Sequence, residues 1–360
     1  MERIEQIQGW LAAQFPERIF RLAPASNDAS FRGYLRVTFE DGATHKKLAG
    51  PPQEFLGPPG GEPGAARFAG GSLIVMDAPP AHEDVRPWLH VQQLFSGAGA
   101  NVPAVLAQDP ARGFLLISDL GSTTYLAALN AAIDPDALYR AAIDTLIGIQ
   151  RASRPDALPA YDRTLLKREL DLFPDWYIDK HVPIDFSNEQ RNGLEAVFQK
   201  ILAVNLAEPQ VYVHRDYHSR NLMVTNAAPG VIDFQDAVYG PLSYDLVSLL
   251  KDAYIEWDEE RSLDWLVRYW EKARKTGLPV RADFGEFFRD YEWMGVQRHV
   301  KVLGIFARLC HRDGKDGYLK DMPLVAKYLR TACARYAELF PLLRLLDQLE
   351  NRQVQVGYTF

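Results

Sequence analysis

Residues 211–236, VYVHRDYHSRNLMVTNAAPGVIDFQD, constrain this chain more than any other stretch. Two short apolar runs, 211–213 and 231–234, have the length of strands rather than helices. Each run brings an acidic residue with it, Asp216 and Asp233, and Asn221 sits between them. The spacing H-x-D-x-x-x-x-N followed by I-D-F suits phosphoryl transfer. One carboxylate receives a hydroxyl proton, while an amide and a second carboxylate hold magnesium (Mg2+). The rest of the chain can be read as what surrounds that stretch.

The 360 residues suffice for two lobes, and 47% hydrophobic content suits an ordinary enzyme. A net charge of −7 argues against nucleic acid or an anionic membrane as the main partner. The two cysteines, Cys310 and Cys333, read as buried thiols in a reducing compartment. The N-terminal residues lack the apolar core of a secretory signal, and no run reaches the roughly 20 apolar residues of a membrane span. A cytoplasmic location is expected, with no obligate protein partner evident.

Along the chain, residues 3–14 read as an amphipathic helix and 22–30 as a loop. Residues 31–40 read as a strand ending in the turn signal Asp41-Gly42. Residues 50–71 hold Gly or Pro at twelve of twenty-two positions and read as a surface insertion. A return strand at 72–76, a helix from Glu83 to about Phe95, and strands at 102–107 and 113–120 follow. Helical periodicity then covers 138–152, 162–179, 187–206, 243–254, 259–277, 284–308 and 322–349, with a capping box expected at Ser187 and Gln190. The fold class expected is α+β: a small antiparallel-sheet lobe over residues 1–120, and a large, mainly helical lobe over 121–360 that carries the central motif.

The run HRDYHSRN…VIDFQDAVYGPLSYDL resembles the catalytic core of the aminoglycoside phosphotransferase and choline kinase group, which shares the two-lobed protein-kinase-like fold. Together with SFRGYLRV, LIVMDAPP, FLLISDLG and DFQDAVYGPLSYDLVSLLKDAY, it resembles the anomeric kinases of peptidoglycan recycling, which phosphorylate N-acetylmuramate and N-acetylglucosamine at C1. The resemblance covers residues 28–252 and implies ATP and Mg2+ as cofactors. By this resemblance Asp216 accepts the hydroxyl proton, Asn221 and Asp233 hold the metal, and Asp245 braces the catalytic loop. His214 shapes that loop. Gln235 and Asp236 follow the metal aspartate, where Asp236 either approaches the metal or the sugar, or caps the next turn.

The small lobe matches less evenly. Residues 26–32, SNDASFR, stand where a phosphate-covering hairpin belongs but lack its glycines, so Ser30 and Arg32 are expected to do that work. The position of the usual kinase lysine falls near Met76, and Arg32, Arg36 or Lys46/Lys47 remain open as its substitute, with Glu83 as the helix carboxylate. Backbone groups at Ser118, Asp119 and Leu120 are expected along the adenine edge, with Leu73, Ile74, Val75, Leu116 and Met223 as apolar walls. For the acceptor, a small-molecule amino sugar, the expected contacts are Asp216, His218, Arg220, Tyr239 and Arg298, with Trp176, Tyr177 and Tyr254 as further stacking faces.

Two rival readings stand beside this one. A kinase of aminoglycosides, choline or similar amino alcohols would favour an acidic cleft, whereas this loop carries Arg215, His218 and Arg220. A nucleotide-binding pseudokinase would explain the absent lysine and glycine-rich loop. It leaves Asp216, Asn221 and Asp233 without purpose.

Overall fold

Strand β2 (Gly33–Phe39) is apolar at Leu35, Val37 and Phe39 and bears Tyr34, Arg36 and Thr38 between them, so one face must be covered and the other carries chemistry. A computed structural model of the protein describes residues 2–25, 32–40, 71–182, 184–226 and 228–350. In it β2 lies between β1 (Phe20–Pro24) and β3 (Ser72–Asp77). Beyond them β5 (Phe114–Ser118) pairs with β3, and β4 (Val105–Asp109) forms the far edge, giving an antiparallel sheet of order β1-β2-β3-β5-β4.

Helix α1 (Arg3–Gln14) covers the apolar face. Its Ile7, Trp10 and Leu11, at helical spacing, pack on Val37, Phe39, Leu73, Val75, Phe114 and Leu116. Burying side chains of this size stabilises the sheet by about 1.5–3 kcal/mol each. Arg3 fixes the helix start, with Nε donating to Asp77 Oδ1 at 2.8 Å and the guanidinium lying 4.4 Å from the Phe114 ring. Strand β1 replaces the first part of the loop expected at 22–30. It is an edge strand, where Pro24 at the end costs no ladder bond. The Asp41-Gly42 turn and nearly all of the Gly/Pro-rich insertion lie outside the described residues.

The chain divides into two compact units: Met1–Gly148 with Arg220–Asp236, and Ile149–Ser219 with Ala237–Phe360. Helices α2 (Val85–Gly97) and α3 (Tyr125–Asn130) belong to the first unit. So does most of α4 (Pro135–Arg151).

The second unit is built on α9 (Phe284–Asp313), 30 residues long and buried over most of its middle. Around it lie α5 (Arg163–Leu172), α6 (Asn188–Asn205), α7 (Tyr244–Leu250), α8 (Glu259–Lys275), α10 (Met322–Arg335) and α11 (Phe340–Leu349). The Ser187–Gln190 capping box is present at the start of α6. Two expected helices are broken. The 162–179 helix becomes α5 and then a π-helical stretch, Phe173–His181, because Pro174 lacks the N–H that an α ladder needs there. The 322–349 helix splits into α10 and α11 around a 3-10 turn at Ala337–Leu339, with Pro341 in the first turn of α11.

Gly304 of α9 sits against the α5–π junction. A Cβ there would collide with the Leu172 carbonyl carbon and lie 2.5 Å from its oxygen. Only glycine lets the two backbones meet.

Candidate active site

In the second unit, the buried residues Val211, Tyr212 and Val213 form most of strand β6 (Gln210–Val213), which pairs antiparallel with β9 (Val238–Pro241) and leads into residues 214–219. Asp245, in the first turn of α7, takes the N–H of His214 at 2.7 Å and of Arg215 at 3.0 Å, one on each carboxylate oxygen. Arg215 has φ +76°, a left-handed conformation costing a bulky residue on the order of 1–3 kcal/mol. The two-point grip of Asp245 offsets it. Burial pushes the Asp245 carboxyl up to about 6, against the field of His214 and the two N–H donors. At the other end of the loop, Asp252 Oδ2 accepts from Ser219 N at 3.0 Å and Ser219 Oγ at 2.5 Å. Buried carboxylates therefore hold the loop on both sides of Asp216.

The second hub is Glu169 on α5, 4% exposed. It accepts from Lys301 Nζ at 3.0 Å, from Gln297 Nε2 at 3.4 Å, and from the Arg215 guanidinium and the Tyr161 hydroxyl. Burial alone would raise its pKa, but Lys301 and Arg215 outweigh that and hold it below the usual range. Asp216 behaves alike. Burial pushes its carboxyl up, and Lys301, His218, Arg298 and Arg215 together bring it below the ordinary carboxylate value. An ionised Asp216 in a positive field results. Beside it, His218 meets Tyr254 edge-on at 5.4 Å, and Tyr254 continues to Phe306 at 6.3 Å.

In the first unit, the short hairpin of β7 (Leu222–Met223) and β8 (Gly230–Val231) sets Asn221 before one strand and Asp233 after the other. Asn221 Nδ2 donates to Asp233 Oδ2 at 3.3 Å, and Ile232 N to Asn221 O at 3.1 Å. Asp233 has φ +64°, and Gln235 Nε2 donates to its Oδ1 at 2.8 Å and to Asp236 Oδ2 at 3.4 Å. Phe234 packs against Trp88 and Phe95 of α2, with ring centroids 5.0 and 5.9 Å away, which anchors the turn. One carboxylate and one amide are hard oxygen donors of the kind magnesium takes, with its remaining positions filled by phosphate and water. Among the described residues no group of three or more His, Cys, Asp or Glu side chains is placed to hold a metal ion.

The polar face of the sheet carries two ion pairs. Arg32 donates to Glu83 Oε2 from Nε and Nη2, both at 3.2 Å. Burial opposes its charge, and Tyr34, Glu83 and Asp236 more than offset that. Arg36 donates to Asp119 Oδ2 at 2.6 Å, and the same carboxylate accepts from Ser72 Oγ at 2.7 Å and Gly121 N at 2.9 Å. Met76 is fully buried opposite Tyr34 and Leu115. Leu120 and Met223 converge on Gly230, where a Cβ would lie 2.9 Å from Leu120 Cδ1 and 3.0 Å from Met223 Cβ.

Comparison with known proteins decides the family. The model of the phosphotransferase enzyme family matches residues 65–284. The chain belongs to that family. This phosphotransferase is 46% identical over 364 residues to the N-acetylmuramate/N-acetylglucosamine kinase of Neisseria meningitidis serogroup B, covering 100% of both chains. It is 43% identical to the kinase of the same name from Pseudomonas aeruginosa, covering 96% of this chain and 97% of the relative. Among solved structures, choline kinase LicA from Streptococcus pneumoniae aligns with a TM-score of 0.59 at 13% identity, over 93% of this chain and 100% of that one. ADP-bound aminoglycoside phosphotransferase APH(2'')-Ib aligns with a TM-score of 0.55 at 15% identity, over 93% and 98%. The two-lobed kinase-like α+β fold is shared with both.

In the phosphotransferase, several residues expected at the nucleotide have other partners. Val75 and its neighbours Leu73 and Leu116 belong to the core under α1; strand alternation puts Ile74 and Met76 on the face of Arg36 instead. The Ser118 N–H goes to Ala104 O at 2.9 Å and its Oγ accepts from Ala104 N at 2.8 Å, so both serve the strand edge. The Asp119 side chain is occupied by Arg36. Ser30, Lys46 and Lys47 lie outside the described residues. Tyr239 sits in the β6–β9 ladder opposite Tyr212 and exchanges backbone bonds with residues 159 and 161. Tyr177 stacks on Phe173 at 5.0 Å, while Tyr254 meets His218 and Arg298 acts on Asp216. Arg220, half-buried, follows the anchored Ser219.

Glu169, Asp252 and Lys301 are absent from the sequence reading. The signal for Glu169 is a carboxylate within the apolar stripe of Leu166, Leu170 and Phe173. Asn101 is the other omission. Its Nδ2 donates to Thr225 Oγ1 at 3.2 Å and Ala228 O at 3.1 Å, tying the β7–β8 hairpin to the segment that follows α2.

Proposed function

We propose that this phosphotransferase transfers the γ-phosphoryl group of ATP to the anomeric C1 hydroxyl of N-acetylmuramate and N-acetylglucosamine. The observation that carries this reading is Asp216, kept ionised among cationic groups on a loop anchored by Asp245 and Asp252. That environment suits a neutral or anionic acceptor and disfavours a cationic aminoglycoside or choline. The named sugars come from relatives collinear with the whole chain.

In the reaction, the sugar hydroxyl oxygen attacks the γ-phosphorus as the bond to the β,γ-bridging oxygen breaks, and ADP leaves. Asp216 orients the hydroxyl and takes its proton as the new O–P bond forms. Little base strength is required until that point, so positioning dominates. Asn221 and Asp233 would hold magnesium, which offsets phosphate charge when bound. Arg32, paired with Glu83, is the cation on the nucleotide side, and Leu120 with Met223 supplies an apolar surface for adenine. The reading requires no protein partner, nucleic acid or membrane. Among the described residues no helix is long and apolar enough to cross one, and the need for ATP makes the cytoplasm the site of action.

The test is magnesium-dependent ADP release with each sugar, with the methyl glycoside of N-acetylglucosamine, and with choline and kanamycin. Turnover of both free sugars and none of the others is expected. Turnover of the methyl glycoside would overturn the C1 assignment, and turnover of choline or kanamycin alone would overturn the sugar.

A further inference from the structure

Arg298 of α9 is only 4% exposed, yet its Nε and Nη1 have no hydrogen-bond partner among the described residues. A buried guanidinium with unsatisfied donors is expensive, because each costs its full desolvation without return. The anionic groups of this region are already engaged. Glu169 is taken by Lys301, Arg215, Gln297 and Tyr161. Asp245 is taken by the His214 and Arg215 N–H groups, and Asp252 by Ser219 and the Tyr254 N–H. Arg298 nonetheless acts electrostatically on Asp216, the carboxylate assigned to the reacting hydroxyl. At the neighbouring helix positions Gln297 and Lys301 both reach Glu169 and His299 Nε2 lies 3.3 Å from Lys251 O, while Gln297 Oε1 and His299 Nδ1 are also without a partner; Arg298 alone of these carries a full charge on its unpartnered atoms. An acceptor bearing an anionic group would satisfy the two unpartnered donors.

Resting on the sugar-kinase reading above, we propose that Arg298 binds the lactyl carboxylate of N-acetylmuramate and thereby sets the preference between that acid sugar and neutral N-acetylglucosamine. The two acceptors share the ring, the acetamido group and the C1 hydroxyl, and differ in this carboxylate. A charge-assisted bond made to only one of them changes KM for that one.

The experiment measures kcat and KM for N-acetylmuramate, its carboxyl methyl ester and N-acetylglucosamine, with the unaltered protein and with Arg298→Ala and Arg298→Lys. Loss of one charged hydrogen bond predicts a KM for N-acetylmuramate raised about 10- to 100-fold in Arg298→Ala. KM for N-acetylglucosamine and for ATP should stay within about threefold, and Arg298→Lys should recover part of the loss. On the unaltered protein the ester should show the same rise as the substitution, a comparison that does not depend on how the variant folds. An ester as good as the acid, an equal rise in KM for both sugars, or a raised KM for ATP that marks a phosphate contact would each overturn the assignment. Failure of the unaltered protein to turn over either sugar would instead overturn the sugar-kinase reading, and the assignment with it.

Discussion

Arg32 and Glu83 form a two-bond ion pair, with guanidinium Nε and Nη2 both 3.2 Å from one carboxylate oxygen and both side chains mostly buried. In an ordinary kinase a strand lysine pairs with a helix glutamate to steady the phosphates. Here the lysine's strand position holds buried Met76, and the cation enters from the residue just before β2. The charge also feels Asp236, five residues after β8 ends at Val231 and three after Asp233.

Arg32→Ala should therefore lower kcat/KM for ATP about 10- to 100-fold, with Arg32→Lys retaining part of it. KM for the sugar should hardly change. Steady-state kinetics with ATP varied at saturating sugar check this, and an unchanged KM and kcat for ATP would remove Arg32 from the nucleotide site.

Glu208 gives a prediction on stability against pH. Its carboxylate accepts from Ser243 N and Oγ, each at 2.9 Å, and burial pushes its pKa up to about 8 from an ordinary 4.5. A carboxyl raised in the folded state contributes fully below the unfolded value, and that contribution is lost as pH rises from about 4.5 to about 8. Glu208→Gln should flatten this loss, which is on the order of a few kcal/mol. Thermal unfolding across that pH range reads it directly, with the variant gaining Tm over the unaltered protein at the alkaline end.

Gly304→Ala should destabilise the protein by roughly 2–3 kcal/mol, since the added methyl meets the Leu172 backbone rather than a side chain that can swing aside. Leu172 ends α5, the helix that carries Glu169, so kcat should fall along with the unfolding midpoint. Chemical denaturation and ADP release on the same preparation measure both.

The proposed catalytic loop is legible in sequence because its candidate residues sit at fixed local spacing: Asp216, Asn221 and Asp233 fall within residues 211–236. The α1 helix and the alternating β2 strand are legible for the same reason, since 3.6 and 2 residue periods are local. Glu169 is not. Its partners lie 46 residues away at Arg215 and 128 away at Gln297, and only the fold brings them together. The proposed nucleotide face is partly legible. Arg32 and Glu83 stand out as charges, whereas Val75 and Ile74 are chemically alike, and only the register of β3 against β2 decides which of them faces α1. The π-helical turn after α5 is announced by Pro174, but its form depends on packing against Gly304.

The most direct test of the whole account is turnover by Asp216→Asn. The amide keeps the size of the side chain and the loop anchors at Asp245 and Asp252, and removes the proton acceptor. ADP release with N-acetylmuramate and N-acetylglucosamine at saturating ATP and magnesium should fall by about 100-fold or more in kcat, with the unfolding midpoint and the KM for ATP nearly unchanged. Turnover at the rate of the unaltered protein would contradict the assignment of Asp216 and the mechanism built on it.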